Sequence, residues 1–149
     1  MGGNRRSTKV NVGFLLIGFL GLIGSSIAYG AQAYSNFDTL GTVNGYSYEN
    51  LAGIDNTNLF AWSEMATTNG VNVPVGYMGA AGHLWTASGT LCQVSGLQYN
   101  GLVANNFVAE TTWGSFCGSG YYYSSGFTRA YNGSGYNTYA TYSSPQLYF

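Results

Sequence analysis

Asn-Gly pairs constrain the fold of this chain more than any other feature of its sequence. The pair occurs four times, at Asn44-Gly45, Asn69-Gly70, Asn100-Gly101 and Asn132-Gly133, each time between short runs rich in Val, Thr, Tyr or Leu. Asn and Gly both tolerate a positive φ, which the type I′ turn of a two-residue β-hairpin requires. Repeated hairpin turns between short strands of this composition predict an all-β domain, built as a meander or a Greek key.

The segments between these turns predict a series of strands. They are residues 43–48, 60–66, 71–75, 83–87, 91–98, 103–112, 121–131 and 136–142. Residues 58–66 also fit helical spacing, but we favour a strand because the neighbouring segments are strands. The predicted core is drawn from Leu84, Leu91, Val94, Leu97, Val103, Phe107, Val108 and Trp113. We therefore expect a small antiparallel β-sandwich, with a barrel as the alternative.

The start of the chain has the organisation of a secretory signal peptide. A basic segment (residues 1–9) precedes an uncharged apolar run (residues 12–23), and small residues follow. This order is typical of a signal-peptide helix that directs export and is then removed. Export predicts a secreted, extracellular domain, which contacts a membrane only through an uncleaved leader.

Two cleavage patterns follow the apolar run. Ala28-Tyr29-Gly30 is the first, and Ala31-Gln32-Ala33 is the better match to the small-residue pattern. We therefore expect a signal peptide over residues 1–33 and a secreted β domain over residues 34–149. An uncleaved anchor is the alternative, because the apolar stretch can be extended over residues 10–33.

Charge is scarce and unevenly placed along the chain. Arg129 is the only Lys or Arg after the leader, whereas all the acids follow the leader: Asp38, Glu49, Asp55, Glu64 and Glu110. One cation against five acids gives the exported part a formal net charge of −4. Binding to nucleic acid needs cations that displace phosphate counterions, and attraction to anionic lipid needs a basic cluster. The composition therefore excludes nucleic acid as a partner and disfavours anionic lipid.

Cys92 and Cys117 are the only cysteines of the chain. In an exported protein they predict one structural disulfide. A catalytic or metal-binding pair is disfavoured, because the spacing is not C-x-x-C and no histidine cluster accompanies it. Residues 55–58 place oxygen ligands in a row, but they lack the central glycine and closing glutamate of a calcium loop. We expect an Asx-rich turn there, and neither a metal nor a cofactor.

Two catalytic arrangements can be considered for these residues. His83 is the only histidine, so a Ser-His-Asp triad would depend on it, and a lone histidine is more often a partly buried hydrogen-bonding residue. Glu64 and Glu110 both lie in strand-like runs that could share one face, as the carboxylate pair of a glycosidase requires. They fit equally well as the few solvating charges of a neutral surface. We predict a non-catalytic protein, with a small glycosidase as the alternative.

Tyrosine crowds the last third of the chain. The candidate binding surface consists of Tyr121, Tyr122, Tyr123, Tyr131, Tyr136 and Tyr139. Surfaces rich in Tyr, Ser, Gly and Asn are good at recognition, because tyrosine offers a flat apolar body with a polar tip. The alternative is that these tyrosines only cover half-exposed sheet faces. An uncharged, strand-rich chain that ends in an aromatic strand also predicts self-association through strand edges.

Two segments resemble a group of small secreted proteins of Gram-positive bacteria: GYMGAAGHLWTASGTLC (residues 76–92) and YYYSSGFTRAYNGSGYNTYATYSSPQLYF (residues 121–149). The size, the export signal and the tyrosine-rich C-terminal strand also resemble the lactococcin 972-type bacteriocins, which are small β-sandwiches that act on cell-wall synthesis. The cysteine pair is not part of the bacteriocin pattern, and neither resemblance assigns a functional residue here.

The resemblance and the tyrosines together predict a function in binding. We expect a bacteriocin-like, non-catalytic interaction protein at or near the bacterial cell surface, whose partner is a cell-surface protein or a glycan. A carbohydrate-binding module and an extracellular fibre subunit are the alternatives.

Overall fold

The computed structural model describes residues 30–114 and 117–149. All regular structure in these two ranges is β-strand, which confirms the all-β prediction. Residues 1–29 of the predicted signal-peptide helix lie outside the described residues. Within the described part of the chain, no helix is long and apolar enough to cross a membrane.

The strands form two antiparallel sheets. Sheet A contains β1 (Gln32–Tyr34), β2 (Asp38–Val43), β3 (Tyr46–Asp55), β4 (Phe60–Thr67) and β8 (Asn106–Glu110). Sheet B contains β5 (Met78–Thr86), β6 (Leu91–Val94), β7 (Gln98–Tyr99), β9 (Tyr121–Tyr131), β10 (Tyr136–Ala140) and β11 (Leu147–Tyr148). In sheet A, β3 pairs with β4 along one side and with β1 and β2 along the other, and β8 lies beyond β4. In sheet B, β5 and β9 form the centre.

The two sheets pack against each other in a sandwich-like arrangement. β4 of sheet A contacts both β5 and β9 of sheet B, and β3 also contacts β9. The described strands do not close into a barrel, so the barrel alternative is wrong. The physical reason is that each sheet keeps free edge strands, with β8 at one edge of sheet A and β10 and β11 at one edge of sheet B.

The core has two halves separated by a narrow waist. One half is built by Val43, Tyr48, Met65, Val73, Met78 and Ala130, and the other by Ile54, Leu59, Ala61, Leu84 and Tyr122. At the waist, Gly82 of β5 pairs with Gly126 of β9. A Cβ atom at Gly82 would lie 2.8 Å from the Cα of Trp62 and 2.7 Å from the carbonyl oxygen of Ala109, both in sheet A. The sheets therefore approach each other closely at a position where side chains are absent.

Most predicted strands are present, with shifted ends. Residues 60–66 lie in β4, which excludes the helical alternative, and residues 121–131 are β9. The remaining matches are partial: 83–87 with β5, 91–98 with β6 and β7, 103–112 with β8, and 136–142 with β10. Two predictions are wrong. Residues 43–48 contain the turn between β2 and β3, and residues 71–75 are a loop with one bridge, from Val73 to Ala104.

The Asn-Gly pairs occupy two kinds of position. Asn44 and Gly45 have φ values of 49° and 85° between β2 and β3, as a type I′ turn requires. Asn132-Gly133 begins the turn between β9 and β10, where the Asn132 amide donates to the carbonyl of Gly135. Asn69-Gly70 and Asn100-Gly101 lie in longer loops instead. These two pairs therefore do not form the two-residue hairpin turns that the sequence predicted.

The predicted core is largely wrong. Only Leu84 among its members is fully buried. Four members are 45% to 64% exposed: Leu91, Val94, Val103 and Trp113. The other three are half-buried: Leu97, Phe107 and Val108. The reason is that β6 and the segments on either side of β8 lie at the margins of the sheets, whereas β3 and β5 supply much of the core.

Candidate functional site

The outward side of sheet B carries two groups of contacting aromatic rings. We call it the aromatic face and define it by His83, Trp85, Tyr99, Tyr123, Phe127, Tyr131 and Tyr136. Strand alternation places every second residue of β9 on this side, because the intervening residues face the core. The register then aligns Trp85 with Tyr123 and Tyr136 with Tyr131 across neighbouring strands. The result is one surface assembled from four strands.

Small residues in β5 leave room for the rings of neighbouring strands. Gly79 and Ala81 lie on the aromatic face, between the larger side chains of the adjacent strands. A Cβ atom at Gly79 would lie 2.7 Å from the ring of Tyr99 and 3.3 Å from the Cβ of Arg129. The absence of this atom allows the Tyr99 ring to approach the backbone of β5 this closely.

One half of the aromatic face is organised around Trp85. The Trp85 and Tyr123 rings are nearly parallel, with centroids 6.4 Å apart and an interplanar angle of 9°. His83 makes edge contacts with Trp85 and Phe127, at centroid distances of 6.1 and 5.8 Å. Burial among these rings lowers the pKa of His83, which keeps the imidazole neutral near pH 7.

The other half contains the tyrosines and the single arginine. The Tyr136 ring lies 4.7 Å from Tyr99 and 5.6 Å from Tyr131. Arg129 donates from Nη1 to the Tyr99 hydroxyl at 3.3 Å, and its guanidinium lies 5.7 Å from the Phe127 ring centre. Burial, followed by the neighbouring Tyr99 and Tyr131, raises the pKa of Tyr136. This face therefore combines aromatic area with one fixed cation.

The six tyrosines predicted as a binding surface are divided by the alternation of their strands. Tyr123, Tyr131 and Tyr136 lie on the aromatic face. Tyr121 is exposed at the start of β9, where its ring makes an edge contact with Tyr148 at 5.2 Å. Tyr122 faces the core and is 1% exposed, and Tyr139 packs half-buried against the core. Consecutive tyrosines of one strand cannot form one surface, because their side chains point in opposite directions.

Sequence reasoning missed four members of the aromatic face: His83, Trp85, Tyr99 and Phe127. A usable signal was present, since alternation predicts that Phe127 lies on the same side of β9 as Tyr123 and Tyr131. The other three residues belong to β5 and β7. Their place became visible only from the register that joins these strands to one another and to β9.

The outward side of sheet A has a different chemistry, and we call it the acidic face. Its carboxylates include Glu49, Glu64 and Glu110, with Asp55 at the end of β3, and its rings are Tyr34, Phe60, Trp62 and Trp113. The Trp62 ring lies over Gly53, whose missing side chain makes the space, and has edge contact with Tyr34 at 5.5 Å. Phe60 stacks under Trp113 at 5.8 Å, and Trp113 is 64% exposed.

Glu64 and Glu110 do lie on the same face, as the sequence suggested they could. Glu64 is paired with Val108, and Glu110 with Trp62, so the two acids are diagonal neighbours on β4 and β8. Glu64 accepts a long hydrogen bond of 3.4 Å from the side chain of Asn106. Neither acid lines the cavity beside Thr86 and Tyr121 or the cavity beside Val75 and Tyr136.

The remaining chemistry predicted from the sequence has structural roles. Cys92 and Cys117 form a disulfide, which confirms that prediction. The Asp55 carboxylate accepts from the Thr57 amide at 2.7 Å and from the Gln32 side chain at 3.0 Å, which is an Asx turn. Burial alone would raise the pKa of Asp55, but the hydrogen bonds from Gln32, Thr57 and Asn58 lower it overall.

Two further features of the structure concern metal binding and catalysis. No group of three or more His, Cys, Asp or Glu residues that could hold a metal ion occurs in residues 30–114 and 117–149. Among the described residues, no strand of sheet B contains an Asp or Glu residue. His83 therefore lies on a sheet that offers it no carboxylate from its own strands.

Comparisons with protein-family models, with curated proteins and with solved structures find no match to this chain. The fold and the two faces therefore define its class: an all-β protein of two packed antiparallel sheets, with an aromatic face on one sheet and an acidic face on the other.

Proposed function

We propose that this chain is a secreted, non-catalytic β-sandwich protein that binds a partner at or near the bacterial cell surface through its aromatic face. One observation carries the proposal: rings from four strands form two contacting groups on the outside of sheet B, and Arg129 joins the two groups. Arg129 is the one cation of this surface, and the described strands of sheet B contain no acid. Aromatic side chains give a large contact area at a low cost in conformational entropy, because few torsions must be fixed. Such a surface is suited to recognition.

The chemistry around the faces supports binding rather than catalysis. His83 is held neutral among rings, on a sheet whose strands have no carboxylate to orient it. Glu64 and Glu110 stand on an open sheet surface, whereas a glycosidase pair needs a cleft that positions the sugar between the two acids.

The N-terminal sequence and the disulfide both support a secreted protein. The leader directs export, and a Cys92–Cys117 bond persists in an oxidising compartment. The resemblance to lactococcin 972-type bacteriocins adds a bacterial surface as the site of action. A cell-surface protein or a glycan is the partner that suits a nearly neutral aromatic surface.

Co-sedimentation of the purified secreted protein with intact bacterial cells and with isolated cell-wall material tests this function. We expect the protein to pellet with the wall, and Trp85→Ala and Tyr136→Ala to weaken this binding about tenfold or more, as hot-spot aromatics do. Trp113→Ala is the matched control, because it removes an exposed ring from the acidic face, on the other side of the molecule. Protein that stays in solution with every preparation would contradict the proposal, and large assemblies on a sizing column would favour the fibre subunit.

A carbohydrate-binding module is the second candidate, and the acidic face favours it. Trp113 presents an exposed ring with Phe60 beneath it, and Glu110 lies on the neighbouring strand as an acceptor for sugar hydroxyls. In this case a cell-wall glycan or a simple polysaccharide would quench tryptophan fluorescence in the parent protein. The quenching would be lost in Trp113→Phe and kept in Trp85→Phe, the reverse of the result expected for the aromatic face.

A further inference from the structure

The connections at one end of the molecule are free of charge. We call this region the loop end and define it as residues 44–45, 68–77, 100–105 and 132–135. Hydrogen bonds and contacts bring these segments together. The Thr68 amide donates to the carbonyl of Ser47 at 3.0 Å, and a Cβ atom at Gly133 would lie 3.9 Å from the Asn44 side chain. None of the four segments contains Asp, Glu, Lys, Arg or His.

Four aliphatic side chains are exposed at the loop end. Val71 is 47% exposed, Val75 56%, Leu102 78% and Val103 63%. Apolar side chains scattered singly over a surface need no explanation, but a group on adjacent loops marks an interaction site. These residues belong to two loops that lie side by side, because Val73 and Ala104 exchange backbone hydrogen bonds of 2.8 and 3.2 Å.

The two loops are held in place by a buried asparagine. Asn100 is 2% exposed, and its side-chain amide donates to the carbonyls of Pro74 and Leu102 at 2.9 and 2.8 Å. Its side-chain oxygen accepts from the Met78 amide at 2.9 Å. The aliphatic side chains are therefore presented on a fixed backbone, which lowers the entropy cost of docking.

Tyrosines surround the base of the loop end. Tyr77 contacts Tyr46 at 5.8 Å and Tyr131 at 4.9 Å. Tyr136 contacts Tyr99, and its hydroxyl donates to the carbonyl of Gly76 in the loop at 2.9 Å. Tyrosine is enriched at the boundary of membrane and water, where one end of the side chain is in an apolar medium and the other is wet.

We propose that the loop end docks on a lipid bilayer, with its aliphatic side chains in the acyl boundary and the tyrosines at the level of the headgroups. The order of side chains along the molecule argues for a bilayer: aliphatic side chains lie at the tip, several tyrosines surround its base, and the charged residues lie farther away. All five acids lie on strands of sheet A and none in the loops, so no carboxylate must enter the apolar layer.

The charge distribution also indicates which lipids the loop end can bind. Electrostatic attraction to anionic lipid needs basic residues near the surface, and Arg129 is the only Lys or Arg after the leader. Docking driven by burial of apolar area is independent of anionic lipid and insensitive to salt. This membrane contact is distinct from an uncleaved leader, which is the one membrane contact that the sequence predicted. It is also distinct from the aromatic face, which we propose as the binding site for the cell-surface partner.

Co-sedimentation of the secreted protein with vesicles of zwitterionic phosphatidylcholine tests the proposal. We expect binding that is equal at low and high salt, and that Leu102→Asp and Val75→Asp each reduce about tenfold or more, because a carboxylate resists entry into the apolar layer. Leu91→Asp and Val94→Asp are the matched controls, since these residues are 45% and 53% exposed on β6, away from the loop end. We expect both to bind like the parent protein.

A second variant makes the test independent of any loss of folding. Leu102→Trp keeps an apolar residue at the tip, and its fluorescence should be quenched by brominated phosphatidylcholine, whereas Val94→Trp should not add quenching. Equal binding of Leu102→Asp and the parent, or binding that requires anionic lipid and is reversed by salt, would overturn the proposal. Wall binding that persists in Leu102→Asp while vesicle binding is lost separates this inference from the proposed function.

Discussion

Replacing Gly82 with alanine tests whether the narrow waist holds the two sheets together. The new Cβ atom would lie 2.7 Å from the Ala109 carbonyl oxygen, 2.8 Å from the Trp62 Cα and 3.1 Å from the Ser63 amide nitrogen. All three are backbone atoms of sheet A, so none can rotate away. Ordinary van der Waals contact begins at 3.4 Å, and the sheets must therefore separate locally.

The expected loss in the free energy of unfolding follows from these distances. Overpacking a tight core costs about 1–3 kcal/mol, and three backbone contacts place Gly82→Ala near the upper end, about 3 kcal/mol. Alanine also restricts the unfolded chain, which offsets about 0.5–1 kcal/mol. The net loss in the free energy of unfolding is about 2 kcal/mol, and in a domain of this size it lowers the Tm by about 8 °C.

Urea denaturation and thermal unfolding of Gly82→Ala measure the effect. Gly101→Ala is the matched control: its φ lies outside the left-handed region, and a Cβ atom there meets nothing within 4 Å. We expect this control to equal the parent or to exceed it slightly. A Gly82→Ala protein with the stability of the parent would show that the sheets are farther apart than described, and the close approach at the waist would be wrong.

Three other predictions concern the disulfide, the Asp55 turn and the leader. Replacing Cys92 and Cys117 together by serine removes a cross-link over 25 residues, which lowers the free energy of unfolding by about 3.5 kcal/mol in the chain-entropy model; an unchanged denaturation midpoint without reductant would contradict it. The pKa of Asp55 is lowered on folding, so the ionised carboxylate stabilises the fold above its unfolded pKa, and this stabilisation is lost as the pH falls through the folded pKa. We therefore expect the free energy of unfolding of Asp55→Asn to fall less steeply at acidic pH than that of the parent. An identical fall in both proteins would count against the Asx turn. Gln32 and Ala33 pair with Asp55 and Ile54 in β1, and cleavage after Ala33, which the small-residue pattern favours, would remove both. We therefore predict removal of the leader after Gly30, the first of the two cleavage patterns, because it keeps β1 whole; an intact mass that begins at Tyr34 would support cleavage after Ala33 instead.

The parts of the fold that were predictable are those with strong local signals. The Asn44-Gly45 turn follows from two residues that tolerate positive φ, and β9 follows from a long run with few breaks. The centre of the core was not predictable from large apolar residues, because Gly82, Gly126 and small neighbours fill it. β3 was missed in the same way, since it buries Asn50, whose side chain donates to Thr128 across the two sheets at 2.9 Å.

The candidate site was predictable only in part, and the reason is geometric. The sequence identified tyrosine as the unusual component, and alternation was available to divide the tyrosines of β9 into two sides. Which side faces the core depends on contacts with sheet A, and Tyr122 is buried there with Leu84 and Ile54. Trp85 and Tyr99 join the aromatic face through pairings that no local pattern encodes.

The separation of charge between the two sheets determines the electrostatic character of the aromatic face and therefore what it can bind. Packed sheets lie about 10 Å apart, and the Debye length is about 8 Å at physiological ionic strength. The acids of sheet A are therefore largely screened at the outer side of sheet B, where Arg129 is the local charge. The aromatic face consequently behaves as a nearly neutral surface, although residues 34–149 carry a formal net charge of −4. A polyanionic wall would not repel it strongly, and affinity would depend on ring contact and shape more than on salt.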